Sequence, residues 1–164
     1  MDLHQQFTSV IQENKGLIFK VSAMYTNTPD DRSDLQQEIV YQLWKSFGSF
    51  KQDSKLSTWM YRVALNTAIS QLNQTKRRVS TIPLELEADR LAEDYDQNEE
   101  EQIQQLYAQI QSLNLLDRGI ILLFLEGKKY EEIASIIGIT PSNVGTRISR
   151  IKERLRTQLV KQPA

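Results

Sequence analysis

Between Val79 and Glu101 the chain carries nine acidic residues (Glu85, Glu87, Asp89, Glu93, Asp94, Asp96, Glu99, Glu100 and Glu101) against one arginine, Arg90, together with Pro83 and few large apolar side chains. A segment so charged buries too little apolar surface to offset the entropy of ordering it against a core. It reads as a linker, with at most a short helical turn, and it divides the 164 residues into two modules. Modules of roughly 70 residues bury only about 60% of the surface their unfolded chains expose, so they are marginal alone and lean on partners. The same segment reorganises the charge. Nine acids and one arginine give it −8, so the whole-chain charge of −1 leaves +7 on the flanking parts. Two basic modules joined by an acidic strap point toward a nucleic-acid partner.

Composition excludes several chemistries. With no cysteine there are no disulfides, thiolate nucleophiles or common structural zinc sites. The one histidine, His4, lies at the N-terminal fringe, so no imidazole-based catalytic or metal centre is expected. Gly-rich phosphate loops, nucleophile elbows and metal-ligand spacings are absent. The chain is therefore expected to be no enzyme, to use no cofactor and to have no catalytic residues. The opening residues, MDLHQQFTSVIQENK, show no signal-peptide pattern. The longest apolar run, Gly119 to Leu125, falls far short of the roughly 18 residues that span a bilayer. A cytoplasmic location is the expectation.

Outside the acidic stretch, apolar residues recur at helical spacing, and no segment alternates as a strand would. Phe7, Val10, Ile11, Leu17, Ile18, Val21 and Met24 predict one amphipathic helix from about Leu3 to Tyr25. A loop over Thr26 to Asp31 precedes a second helix starting near Ser33 or Asp34, with Leu35, Ile39, Leu43 and Trp44 as its apolar stripe. Gly48 to Ser57 interrupts the pattern. A third helix runs from Thr58, a candidate N-cap, to about Arg77, burying Trp59, Met60, Val63, Ala64, Ala68, Ile69 and Leu72. After the linker come helices over about 103–113, 116–125, 130–137 and 142–159. The fold class is all-α, with two small helical domains at 1–78 and 102–164 joined by a linker at 79–101.

The most specific pattern spans Tyr130 to Ile148. Ala134 is small where two steeply crossed helices would meet, and Gly138 suits a tight turn. Thr140 can cap the second helix and Pro141 fits its first turn, where no amide hydrogen bond is lost. Along that helix Val144, Ile148, Ile151 and Leu155 form an inward stripe, while Asn143, Arg147, Arg150 and Arg154 follow the same spacing one residue out of phase, about 100° around the axis. An ordinary helical hairpin with a solvated basic face would share the basic stripe alone. The combination with the small residue, the turn glycine and the Thr-Pro start favours a DNA-reading helix-turn-helix.

The N-terminal module adds a second pattern: Asp34-Leu35-Gln36-Gln37-Glu38-Ile39, Leu43-Trp44, Phe50, then Leu56-Ser57-Thr58-Trp59-Met60-Tyr61-Arg62-Val63-Ala64-Leu65-Asn66, and the basic end Lys76-Arg77-Arg78. In order and spacing these resemble region 2 of the extracytoplasmic-function (ECF) RNA polymerase sigma factors, and the C-terminal half resembles their region 4. The likeness covers nearly the whole chain apart from the linker.

The resemblance implies a protein that binds core RNA polymerase and directs it to promoters. Asp34, Leu35, Gln37, Glu38 and Trp44 would dock on the β′ clamp helices, with region 4 meeting the β flap. The minus-ten element would be read by Lys51, Lys55, Thr58, Trp59, Arg62 and Asn66, with Lys76, Arg77 and Arg78 on phosphates. Trp59 has a competing assignment to the core beside Met60 and Val63. Ser142, Asn143, Thr146, Arg147, Arg150 and Arg154 would read the minus-thirty-five element. An anti-sigma factor is a further implied partner. Ser70-Gln71-Leu72-Asn73 stands where many members carry an acid and an arginine, so a different minus-ten preference is expected. The alternatives are a stand-alone helix-turn-helix regulator, which explains only the C-terminal half, and a structural helical adaptor, which would not bind DNA.

Overall fold

The computed structural model describes residues 2–50, 55–79 and 97–160, with the side chains at 76–79, 97–100, 102–103 and 159–160 outside that description. Among the described residues there are eight helices and no strand: α1 (Leu3–Glu13), α2 (Lys15–Tyr25), α3 (Pro29–Phe47), α4 (Leu56–Val79), α5 (Gln97–Gln111), α6 (Leu115–Leu125), α7 (Tyr130–Ile137) and α8 (Pro141–Val160). The all-α expectation holds. Residues 80–96 of the acidic segment lie outside the described residues, and α5 begins at Gln97, earlier than the periodicity indicated.

The single N-terminal helix expected over 3–25 is two helices. Asn14 breaks it with φ −120° and ψ 24°, and its Nδ2 donates to Val10 O at 2.8 Å. Asparagine side chains offer the backbone such an alternative to the helix ladder. α1 opens on a capping box: Gln5 N donates to Asp2 Oδ1 at 2.7 Å, and Asp2 N donates to Gln5 Oε1 at 3.3 Å. α3 starts at Pro29, four to five residues upstream of the expected Ser33 or Asp34. Thr28 accepts from Asp31 N at 3.1 Å, and Asp30 and Asp31 occupy the first turn. The Pro-Asp-Asp run resembles a loop, yet proline at the first helical position and acids near the positive end of the macrodipole both favour a helix start. α4 likewise begins at Leu56, which places Thr58 inside the helix and buried rather than at its cap.

In the N-terminal module Leu35, Ile39 and Leu43, each four residues apart, form the fully buried ridge of α3 and pack with Val21, Met60 and Ala64. In the C-terminal module Ile120, Leu123, Ile133, Val144 and Ile148 are almost fully buried. Each such side chain contributes about 1.5–3 kcal/mol of transfer free energy. The two cores are continuous. α2 packs on α6, and α4 packs on both α6 and α7. Tyr61 and Leu65, absent from the inward stripe read from the sequence, are buried as well.

Candidate nucleic-acid and polymerase-docking surfaces

The helix-turn-helix forms as its residues dictate. Gly138 takes φ +89° and ψ 32°, ending α7 in the left-handed region, and the amides of Gly138 and Ile139 both reach Ala134 O, at 2.8 and 3.2 Å. Thr140 Oγ1 accepts from Asn143 N at 3.1 Å and caps α8, whose first turn contains Pro141. Val144, Ile148 and Ile151 are buried against α6 and α7.

Burial of that stripe turns the opposite side of α8 outward. Ser142, Asn143, Thr146, Arg150 and Arg154 are exposed. Arg147 is half-buried and anchored twice: its Nη1 lies 3.0 Å from Asp117 Oδ1 on α6, and its Nε donates to Asn143 Oδ1 at 3.3 Å. Arg154 Nη2 reaches Ser112 O at 3.5 Å. The six residues form one face, oriented from an N-terminus whose backbone is capped. Such a face suits a DNA groove.

On α3 the residues expected to meet polymerase divide. Asp34, Gln37, Glu38 and Trp44 share the side away from the buried ridge; Asp34, Gln37 and Trp44 are exposed and Glu38 is half-buried. Leu35 is a correction: at 2% exposure it is core, because it lies on the same four-residue ridge as Ile39 and Leu43. Asp34 and Glu38 line a polar groove toward α4 with Gln42, Asn66 and Gln74. Gln37 and Trp44 line an apolar groove of about 860 Å³ toward α1 and α2 with Phe7, Phe19 and Tyr41. The Trp44 ring sits 5.0 Å from Phe7 and edge-on to His4 at 6.0 Å. Tyr41, 54% exposed, was not singled out from the sequence. It lies four residues after Gln37 and three before Trp44, so the same helical spacing marks it.

The residues expected at the minus-ten element fare differently from one another. Lys55 and Asn66 are exposed. Thr58 and Trp59 are buried, at 6% and 9% exposure. Trp59 stacks on Phe50 at 4.8 Å and contacts Phe47 at 6.2 Å, so it belongs to the core and supports Phe50 rather than reaching a base. Thr58 is a correction because α4 starts at Leu56, which puts it inside the helix rather than at the cap. For Trp59 the core assignment holds, as its place in the stripe with Met60 and Val63 indicated, and the base-contact assignment falls. Arg62 is occupied. Its Nη2 donates to Ser135 O and Oγ of α7 at 3.0 and 3.3 Å. Lys51 and the side chains of Lys76, Arg77 and Arg78 lie outside the described residues.

Between the modules, Tyr25 is the central polar group. Its hydroxyl donates to Leu115 O at 2.7 Å, and the Arg118 guanidinium lies 5.8 Å from its ring. Burial raises the Tyr25 phenol above its ordinary range, opposed by the Arg118 charge and a backbone hydrogen bond with Gly119. Burial also lowers the Arg118 guanidinium, which the charge of Tyr25 opposes. Tyr61 is pushed up to about 12, by burial first and by Glu126 second.

Residues 10–78 match the family model for sigma-70 region 2, and residues 103–155 match that for sigma-70 region 4. The ECF sigma-E factor of Escherichia coli (strain K12) is 32% identical over 137 residues, covering 76% of this chain and 72% of that protein. The chain belongs to the ECF family of RNA polymerase sigma factors. SigV of Bacillus subtilis (strain 168) is 26% identical to this sigma factor over 155 residues, covering 93% of the chain and 90% of SigV. The fold is also that of the sigma factor RpoE from Bartonella quintana, solved with the anti-sigma factor NepR. That structure matches with a TM-score of 0.75 at 22% identity, over 97% of this chain and 99% of RpoE. CnrH, solved with the cytosolic domain of CnrY, matches at a TM-score of 0.68. A stand-alone regulator is set aside, since region 2 accounts for the half such a protein would lack. Among the described residues no helix is long and apolar enough to cross a membrane, and no cluster of His, Cys, Asp or Glu could hold a metal ion.

Proposed function

We propose that this sigma factor recognises promoters through two separate elements while held on core RNA polymerase. The outward face of α8 carries the reading: a buried stripe fixes the helix, and Ser142, Asn143, Thr146, Arg147, Arg150 and Arg154 project from one side of it. These would read the minus-thirty-five element in the major groove, with arginines on guanine edges or phosphates. Lys55, Arg62 and Asn66 would meet the minus-ten element at the start of α4, with Lys51, Lys76, Arg77 and Arg78 adding charge. The face of α3 bearing Asp34, Gln37, Glu38 and Trp44 would dock on the β′ clamp helices, and region 4 on the β flap. Domains at 1–78 and 102–164 with an acidic linker at 79–101 fit this division, as does a cytoplasmic location. Tethering both modules to polymerase raises the effective concentration of the second promoter contact, so neither module needs high affinity alone. Bond formation belongs to polymerase. An anti-sigma factor is the proposed regulator, supported by the two sigma factors of the same fold that were solved with such partners.

The test is transcription in vitro with the purified chain, core polymerase and fragmented genomic DNA. Discrete start sites that depend on the chain support the reading, and their upstream sequences define both elements. A folded chain that neither binds core polymerase nor yields start sites refutes it.

A further inference from the structure

Gly119 is an anomaly in α6. A glycine inside a helix costs about 1 kcal/mol relative to alanine, and this one is buried. Within its own module there is room for a methyl group: a Cβ at this position would lie 3.6 Å from Ile137 Cδ1, an ordinary contact. The obstruction comes from the other module. The same Cβ would stand 3.0 Å from the hydroxyl of Tyr25 on α2 and 3.4 Å from Leu65 Cδ2 on α4. Tyr25 cannot swing aside cheaply, since it is almost fully buried and its hydroxyl is pinned on Leu115 O at 2.7 Å. The bare backbone at 119 therefore serves the approach of region 2 to region 4.

Around that crossing lies a second set of contacts between modules. Arg62 on α4 donates to Ser135 of α7, Lys20 pairs with Glu126 at 2.9 Å, and Gln111 Nε2 reaches Thr26 O at 3.4 Å. The occlusion is asymmetric: Arg62 is engaged, whereas Ser142, Asn143, Thr146 and Arg150 on α8 stay exposed.

The promoter reading, on which this inference rests, requires the modules to separate. Elements centred at ten and thirty-five base pairs upstream lie about 25 base pairs apart, or ~85 Å along the helix axis at about 3.4 Å per pair. A compact chain of this length has a radius of gyration of about 15 Å, or about 40 Å across. We infer that the free sigma factor is latched shut by Tyr25 seated against the bare backbone of Gly119, holding Arg62 on α7 and away from DNA until polymerase separates the modules. A tether that sets a millimolar effective concentration lets even a weak interface keep the latch closed, and its few polar contacts let polymerase open it.

The test uses the full chain. It contains no cysteine, so Gln12→Cys and Thr157→Cys, at exposed positions on α1 and α8, take a donor and an acceptor dye. Gly119→Ala retains α6 and its helicity by circular dichroism but lowers the closed-to-open ratio about tenfold, the effect of losing one buried hydrogen bond. Energy transfer falls and the radius of gyration rises; Gly119→Leu reaches further into the contact and opens the chain more. Tyr25→Phe alone loses the hydrogen bond to Leu115 O and opens the chain by a similar factor; adding it to Gly119→Ala opens the chain little further, because both changes act on one contact. Unchanged transfer in both Gly119 variants overturns the latch, as do effects of Gly119→Ala and Tyr25→Phe that simply add in the double variant, as they would for independent sites. With core polymerase, Gly119→Ala initiates at the parental start sites and binds core about tenfold more tightly. If the parent chain yields no start sites the sigma reading fails, while energy transfer still decides whether the latch exists.

Discussion

Arg147 and Arg150 sit one turn apart on α8 but are held differently, and replacing each by alanine should separate base reading from phosphate binding. Arg147 is anchored by Asp117 at 3.0 Å and Asn143 at 3.3 Å, so its guanidinium is fixed before DNA arrives. Arg150 is exposed and has no partner among the described residues. A fixed fork is suited to a base edge, where a bidentate contact is worth about 1–3 kcal/mol, or roughly 5- to 150-fold in affinity. A free arginine is suited to a phosphate, where its loss weakens binding to all sequences alike and makes the salt dependence shallower by about 0.9 in the log-log slope. Arg147→Ala also loses its ion pair. With the partners' side chains 32% and 18% exposed, that pair is worth about 0.5–1 kcal/mol of stability, the upper part of the range for surface pairs.

The assay is binding of the reconstituted holoenzyme to promoter fragments in which each base pair of the upstream element is changed in turn, between about 50 and 200 mM salt. Arg147→Ala should abolish discrimination at one position and leave the others graded as before. Arg150→Ala should lower every fragment by the same factor. The reasoning is refuted if Arg147→Ala weakens all fragments equally, since an arginine fixed by two partners would then confer no sequence reading.

Gly138→Ala should destabilise the chain by about 1–2 kcal/mol, the cost of a left-handed backbone without glycine, because φ there is +89° although a Cβ would meet nothing. Gly16→Ala, inside α2 and equally unobstructed, should stabilise by about 1 kcal/mol; thermal melts that shift the same way for both would contradict the assigned backbone. Trp44→Ala should weaken core polymerase binding about 30-fold, as loss of a central aromatic contact does, with helicity retained; unchanged binding would remove Trp44 from the docking face. Stability should hold up to about pH 10, the ordinary tyrosine value, and fall as pH rises from there through about 12, because folding favours the protonated phenol of Tyr61, whose value is pushed up to about 12. Denaturant melts across that window should show a shallower loss for Tyr61→Phe.

The sequence was most legible where one rule operated alone. The inward stripe of α8, the turn at Gly138 and the Thr140 cap each followed from local chemistry, and all three form. Helix starts were less legible because the same residues signal loop and cap: Pro29-Asp30-Asp31 opens α3, and Asn14 divides what periodicity joined. Two residues of upstream extension in α4 put Thr58 inside the helix rather than at its cap, whereas Trp59 keeps the core place that its stripe with Met60 and Val63 indicated. Periodicity placed Leu35 correctly, in the stripe with Ile39 and Leu43; its docking role came only from the resemblance, and its burial removes it from that surface.

The contact between modules was not legible, because amphipathic periodicity reports one buried face per helix. α4 has two. Met60, Ala64 and Ala68 serve the core of region 2, whereas Tyr61 and Leu65 are buried toward region 4. A second face broadens the stripe without changing its period, so it resembles ordinary variation. Gly119 shows the same ambiguity from the other side: in an apolar run it reads as a weak point in a helix. Only the position of Tyr25 turns it into a point of close approach. Arg62 is therefore doubly placed. Its spacing with Asn66 marks it for DNA, its geometry commits it to Ser135, and both assignments hold if they belong to different states of one chain.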